Sequence, residues 1–152
     1  MLEPPVYARR SGMLPQVAIT VVEQSLGYSF VYPNPWLQAS GRAADIDNVV
    51  CEVGFGVSPL GDCVYVSDLK VDQPYRRRGY ASALLAEVAL YAGGGSSLPI
   101  TPLHISNAAY AFWAVLRQEA RSGLLITRDV RFSEMEAEQE RWRHLRPIKS
   151  ST

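Results

Sequence analysis

The chain has 152 residues, of which 47% are hydrophobic and 20% are charged, a balance typical of one globular domain spanning residues 1–152. Fifteen basic and fifteen acidic residues cancel, so no overall field attracts nucleic acid, which argues against a nucleic-acid partner. No apolar run approaches the ~20 residues that cross a bilayer, and the N-terminal stretch lacks the basic and apolar segments of a secretory signal. We therefore expect a cytoplasmic protein with no membrane partner.

The first half of the chain predicts β-strands. Four runs rich in Val, Ile, Tyr and Phe are separated by turn residues, as in a half-buried sheet. These runs cover residues 17–22, 26–32, 48–57 and 63–71. Residues 33–47 are predicted to form a long polar loop between the second and third strands, and loops of this length are often functional.

A tight turn at the sequence SPLG, residues 58–61, is predicted to join the third and fourth strands as a hairpin. Such a turn would pair Val57 with Asp62. In that register Cys51 and Cys63 are not opposed, so they cannot form a disulfide. We expect both to be buried free thiols that pack as small hydrophobic side chains.

From Gly79 the hydrophobic period changes from two to about 3.6, which predicts an amphipathic helix that ends at the glycine-rich residues 93–97. Strands and helices then alternate. The predicted elements are a proline-interrupted strand at 98–105, a helix at 106–120, a strand at 124–130 and a helix that begins with a capping box of Ser133 and Glu136. This order predicts a mixed α/β or α+β sheet flanked by helices.

Three consecutive arginines, Arg76, Arg77 and Arg78, stand directly before the first of these helices. The N-terminal end of a helix already carries about half a positive charge, so the arginines would weaken the helix unless an anion is bound there. Gly79 would let the backbone approach that anion, and Ala81 would keep the next position small. A solvated basic loop is the alternative interpretation.

The stretch DLKVDQPYRRRGYA resembles the pyrophosphate loop of the GNAT superfamily of N-acetyltransferases. The family pattern [QR]xxGx[GA] is matched by Arg76, Gly79 and Ala81. The preceding strand fits the family pattern DLxVxPxxRxxG with one extra residue before the proline. The resemblance covers about residues 48–120. It implies a mostly antiparallel central sheet that is splayed between its fourth and fifth strands, with acetyl-CoA as co-substrate and no metal.

The resemblance also implies which residues bind acetyl-CoA. The pyrophosphate would lie on the loop, the pantetheine arm would pair with the exposed edge of the fourth strand, and a polar residue at the start of the next helix would contact the arm. The implied residues are Leu69, Lys70, Val71, Arg76, Arg77, Arg78, Gly79, Tyr80, Ala81, Ser82, Ser106 and Asn107.

Acetyl transfer to an amine requires a base for the ammonium proton, and an acid can protonate the leaving thiolate. Asp68 lies at the acetyl end of the fourth strand, and the predicted hairpin places Glu52 on the adjacent strand, opposite Ser67. Either carboxylate is a candidate base. His104 is a further candidate, although a structural or helix-capping role competes with it.

The family often has a tyrosine acid on the helix that follows the fifth strand. Aligning either Ser106 or Asn107 with the usual asparagine leaves that tyrosine absent here. Tyr110 is the candidate substitute, with core packing as the competing interpretation, and Trp113 is expected to pack.

We therefore expect an acetyl-CoA-dependent N-acetyltransferase acting on a primary amine of a small molecule, peptide or protein, by direct attack in a ternary complex. The alternative is a catalytically degenerate acyl-CoA-binding or interaction module, because the usual tyrosine is absent. The two helices that often form the acceptor site in the family have no counterpart in the sequence pattern, so the acceptor is not identified. The resemblance also suggests a homodimer.

Overall fold

The computed structural model describes residues 14–24, 29–119 and 124–145. Within them five strands form one sheet in the order β1-β2-β3-β4-β5. The strands are β1 (Val17–Glu23), β2 (Leu37–Ala43), β3 (Asn48–Val57), β4 (Val64–Val71) and β5 (Ile100–Pro102). The first four strands pair antiparallel, whereas β5 runs parallel to β4. The predicted mixed, mostly antiparallel sheet is therefore confirmed.

Three α-helices accompany the sheet in the described part of the chain. They are α1 (Tyr80–Ala92), α2 (Tyr110–Glu119) and α3 (Met135–Arg143), with short 3-10 turns at Gln73–Tyr75, Asn107–Ala109 and Phe132–Glu134. Helix α1 is the crossover that makes β4 and β5 parallel, as a strand-helix-strand unit requires. No helix in the described residues is both long enough and apolar enough to cross a bilayer.

One face of the sheet packs against α1. Leu84, Leu85 and Val88 of the helix are fully buried with Val53 and Val64 of the sheet. The apolar residues of α1 recur at helical spacing and those of the strands at alternate positions, so each element presents one apolar face to the other. This packing anchors the start of α1 against the end of β4.

The opposite face carries a second, smaller core around an aromatic group. The rings of Phe30, Tyr65 and Trp142 pack with centroids 5.1–5.7 Å apart. The buried Tyr65 hydroxyl donates to Glu138 and accepts from Arg141 at 2.7 Å, which satisfies its polar group. Tyr65 is therefore structural, and α3 is fixed to β4 through it.

The predicted second strand at 26–32 is wrong where the structure describes it, because residues 29–34 form a turn. Its residues 26–28 lie outside the described residues. Phe30 and Val31 are buried in the second core, so their apolar character reflects burial and not strand pairing. The predicted loop at 33–47 is also wrong, since it contains β2, whose small and polar residues pair with β1 and β3 on both sides.

The predicted hairpin exists, but its register is different. Val57 pairs with Val64 and not with Asp62, so the turn is two residues longer than predicted. Ser58 accounts for this, because its backbone N–H donates to the Cys63 carbonyl at 3.0 Å before the strand begins. Cys63 and Cys51 are both buried and free, as predicted.

Two later predictions are also corrected. Residues 124–130 do not form a regular strand, because only Ile126 and Val130 make isolated bridges to the β5 region. The capping interaction before α3 involves Arg131 and not Ser133: the Arg131 backbone N–H donates to the Glu134 carboxylate at 2.9 Å. The cap therefore lies two residues earlier in the chain than the Ser133–Glu136 pattern predicts.

Trp142→Ala tests the second core. Trp142 is fully buried, so we expect the truncation to lower the free energy of unfolding by about 3–5 kcal/mol through lost packing. Leu145→Ala is the matched control near the same helix, because Leu145 is 46% exposed, and we expect a change of about 0.5 kcal/mol or less. Urea denaturation measures both, and equal losses would contradict the assigned core.

Candidate functional site

The β4 strand is paired on both sides only in its first half. Its last hydrogen bond with the β5 chain joins the Leu103 N–H to the Val66 carbonyl at 2.9 Å. The next backbone N–H, of His104, donates instead to the Val130 carbonyl, and the backbone of His104 has a φ of 29°. Among the described residues, no strand pairs with this side of residues 67–71. The predicted splay between the fourth and fifth strands is confirmed.

A β-bulge lies where the strands separate. Gly54 pairs with Ser67 and Glu52 pairs with Lys70, so two residues of β4, Asp68 and Leu69, face one residue of β3. Asp68 occupies the left-handed region with a φ of 57°, which Asp tolerates better than most residues. This bulge was not predicted from the sequence, although the polar Asp68 inside an apolar strand pattern was a signal for it.

The bulge changes which backbone groups face the open side. The Asp72 N–H donates to the Val50 carbonyl of β3, so by strand alternation the backbone of Val71 and of Leu69 points away from β3. Leu69 and Val71 therefore direct backbone N–H and C=O groups to the open edge, where the Val71 carbonyl accepts a hydrogen bond from Arg76. Their contact with acetyl-CoA stays a prediction. Lys70 directs no backbone group to this edge, because it pairs with Glu52 on β3, and only its side chain is available for other contacts.

The arginine loop continues directly from this edge into α1. Arg76 is extended and its Nε donates to the Val71 carbonyl at 2.8 Å, while Arg77 has a φ of 64°. Gly79 is the N-cap of α1 with a φ of 87°, a conformation that glycine adopts without steric cost. The guanidinium of Arg78 lies 5.9 Å from the centre of the Tyr75 ring.

The first turn of α1 is buried, whereas the three arginines before it are exposed. Ala81 and Ser82 are buried, as is Tyr80, whose ring packs edge-on against Tyr75 at 6.3 Å. The first N–H groups of a helix have no acceptor within the helix, and Gly79 offers no side chain to cap them. An exposed basic loop therefore surrounds a helix end suited to an anion.

Of the two predicted carboxylates, Asp68 is part of the bulge and Glu52 lies beside it on β3. Oxygen atoms of Glu52 lie 3.4 Å from Lys70 Nζ and 3.3 Å from Gln38 Nε2. Asp68 is exposed and accepts a 3.4 Å hydrogen bond from the Ser67 hydroxyl. The structure thus places Asp68 at the inner end of the open edge, and Glu52 farther along β3, opposite Lys70 and not opposite Ser67.

Ser106, Asn107 and His104 lie on the chain that leaves the open edge on the β5 side. Ser106 precedes the 3-10 turn Asn107–Ala109, but its side chain makes no capping hydrogen bond. The His104 ring packs edge-on against Phe132 at 6.2 Å. His104 therefore turns the chain away from β4, and its ring caps no helix among the described residues.

The predicted acid, Tyr110, is directed to another partner. Its hydroxyl donates to the buried carboxylate of Asp129 at 3.4 Å. Asp129 belongs to residues 124–130, which bridge to the β5 region, so the observed partner of this hydroxyl is neither of the two predicted bases. Trp113 is buried in the main core, as predicted.

An aromatic residue, Trp36, covers the sheet face beside Glu52, and it was not among the predicted site residues. On the sheet face away from α1, β3 carries two glycines, Gly54 and Gly56, and the Trp36 indole covers both. A Cβ at Gly56 would lie 2.6 Å from this ring, and one at Gly54 would lie 3.0 Å from its Nε1. The spaced glycines in NVVCEVGFGV were the available signal, because they mark close approach of another group.

Comparisons with known proteins give structural neighbours only. No protein-family model matches the chain, and no curated protein sequence matches it. The chain is similar to the crystal structure of a protein from Deinococcus radiodurans R1 assigned as an acetyltransferase, with 17% identity and a TM-score of 0.40 over 64% of this chain and 80% of that one. It is also similar to nourseothricin acetyltransferase, with 16% identity and a TM-score of 0.43 over 77% and 78% of the two chains.

Gly79→Ala tests the loop geometry. A Cβ at a φ of 87° is strained, so we expect the variant to lose about 1–2 kcal/mol of unfolding free energy. Gly79→Asn should lose less, because Asn enters the left-handed region more readily. Chemical denaturation of the two variants measures the difference, and a Gly79→Ala variant as stable as the wild-type protein would refute the assigned conformation.

Proposed function

We propose that the chain is an N-acetyltransferase of the GNAT type that transfers an acetyl group from acetyl-CoA to a primary amine. The observation that carries this proposal is the continuity of three features. An open strand edge, a bulge beside two carboxylates and an arginine-rich helix start follow one another within residues 67–82. The sequence motif of that same segment resembles the pyrophosphate loop of the superfamily.

The segment has the donors that a CoA molecule requires. Arg76, Arg77 and Arg78 supply guanidinium groups, which bind phosphate oxygens in pairs, and the first turn of α1 supplies backbone N–H groups. Gly79 removes the side chain that would block approach to that turn. The backbone groups of Leu69 and Val71 suit an amide-containing chain that adds to the sheet as an extra strand. A polyanion with an extended amide arm therefore fits these residues.

The remaining groups suit the chemistry of acetyl transfer. When bound, acetyl-CoA supplies an activated thioester, so the protein must mainly orient the amine and provide groups that accept and donate protons. Glu52 and Asp68 are carboxylates that can accept a proton from an ammonium ion beside the open edge. A backbone N–H at the bulge would stabilise negative charge that develops on the carbonyl oxygen.

The alternative is a module that binds acyl-CoA without turning it over. The contact between Tyr110 and Asp129 favours this alternative, because it occupies the candidate acid with a group outside the open edge. An N-acetyltransferase can nevertheless release its thiolate to solvent protons. Binding of acetyl-CoA without acetylation of any amine in a broad panel would favour the module.

Isothermal titration with CoA tests the proposed cofactor site. We expect Arg76→Ala and Arg78→Ala to weaken CoA binding at least about tenfold each, since a hydrogen bond to a charged group contributes about 1.5–3 kcal/mol. Arg42→Ala is the matched control, because Arg42 is an exposed arginine that pairs with Asp47 elsewhere on the sheet. Undetectable binding at high micromolar CoA, or equal weakening in all three variants, would reject the site.

Glu52→Gln and Asp68→Asn identify the base. Once an accepted amine is found, we expect the variant of the true base to lower kcat by about 10²–10⁴-fold while the affinity for CoA is retained. The other variant should change kcat much less, because its carboxylate does not receive the proton. Steady-state kinetics together with CoA titration separates the two, and two fully active variants would exclude both carboxylates.

A further inference from the structure

We propose that Lys70 is an acetyl acceptor within the chain itself, so that the protein acetylates its own Lys70 side chain. This inference rests on the proposed function, because acetyl-CoA is the donor. Lys70 lies between Leu69 and Val71, the two residues whose backbone groups face the open edge. It is therefore the amine of the described residues that lies on the proposed path of the acetyl donor.

Lysine is scarce in this chain, which makes its position on β4 informative. Of the fifteen Lys and Arg residues, only Lys70 and Lys149 are lysines. An arginine at position 70 would also pair with Glu52, but a guanidinium is not deprotonated in proteins and cannot serve as the nucleophile. Lys149 lies outside the described residues and serves as the internal reference for chemical acetylation.

The contacts of Lys70 are those of an acceptor amine beside its base. Its Nζ lies 3.4 Å from Glu52 Oε2, and the two side chains are 63% and 41% exposed. An exposed ion pair contributes little to stability, so exchange of this contact for another costs little. The flexible four-carbon stem then allows Nζ to leave the carboxylate and reach the neighbouring edge.

The reaction balances without a further reactant. Glu52 takes one proton from the Lys70 ammonium, and the resulting amine nitrogen forms a bond to the thioester carbonyl carbon. The bond between carbon and sulfur breaks, its electron pair stays on sulfur, and the thiolate takes a second proton from the nitrogen. The products are Nε-acetyl-Lys70 and CoA thiol, and Glu52 returns its proton to water.

The cysteines do not compete as nucleophiles. Burial, with a smaller contribution from the charge of Asp72, raises the pKa of the Cys51 thiol to about 11, and burial also raises the pKa of the Cys63 thiol. Both side chains are therefore protonated near neutral pH, and both are shielded from a bulky thioester. Acetylation at Lys70 would leave a neutral amide beside Glu52 and so remove the cation that this carboxylate now faces.

Peptide mass spectrometry after incubation with acetyl-CoA tests the inference. We expect one acetyl group on Lys70, added at least about tenfold faster than on Lys149, which reports uncatalysed chemistry. The rate constant should not depend on protein concentration, because the acceptor belongs to the same molecule. Lys70→Arg should remove the modification, and Glu52→Gln should slow it about tenfold or more.

Calorimetric titration with CoA on the same preparations distinguishes failure of the proposed function from failure of the self-acetylation. If CoA binds and Lys70 is modified no faster than Lys149, the self-acetylation is refuted while the cofactor site stands. If the rate constant rises in proportion to protein concentration, transfer occurs between molecules and the intramolecular inference is wrong. If CoA does not bind, the proposed function and this inference both fail. Arg42→Ala should retain the modification, and Arg76→Ala should reduce it.

Discussion

The separation of β5 from β4 after Val66 is the constraint on which the site depends. Backbone N–H and C=O groups require partners, and a strand edge that loses its neighbour must find them in solvent, side chains or a ligand. The Val71 carbonyl already accepts a hydrogen bond from the guanidinium of Arg76. The same arginine therefore connects the open edge to the loop that begins α1, and it fixes the distance between the two.

Two strained backbone positions keep the strands apart. Asp68 on β4 and His104 after β5 both have positive φ values, and each follows the last shared hydrogen bond on its own chain segment. Such conformations cost on the order of 1–3 kcal/mol and persist only where the surroundings impose them. The two cores provide this support: α1 packs under β4 on one face, and Tyr65 binds α3 on the other. Packing thus maintains an opening that local preferences would close.

Charge is distributed along the open edge in a way that suits its proposed ligands. The arginines lie at one end, beside the helix start, Asp68 lies at the other end in the bulge, and Glu52 lies between them, opposite Lys70. An anion is favoured beside the arginines and a cationic amine beside the carboxylates, the farther of which, Asp68, is three strand residues or roughly 10 Å from Val71. Lys70 lies between the two ends and already occupies the cation position next to Glu52.

Local sequence signals predicted strands and helices correctly where the hydrophobic pattern matches the burial of the side chains. The boundaries of β3 and of α1 follow from alternation and from helical spacing, and the arginine loop follows from its conflict with the helix dipole. The same reasoning failed at Phe30 and Val31, which are buried in a turn, and at β2, whose Ala, Ser and Gly residues resemble a loop. The ring partners of Phe30 lie far away in sequence, and β2 is held by backbone pairing on both sides, so local composition predicts neither.

By itself, then, the amino-acid sequence determined a mixed sheet, the helix that begins after Gly79 and the residues that can attract an anion there. These properties depend on neighbours within a few positions along the chain. Only the tertiary structure decided that Glu52 faces Lys70, that Tyr110 binds Asp129 and that Trp36 covers two glycines of β3. The first contact depends on the bulge and on strand register, because a shift by a single residue exchanges the two faces of a strand, and the other two depend on how distant segments pack.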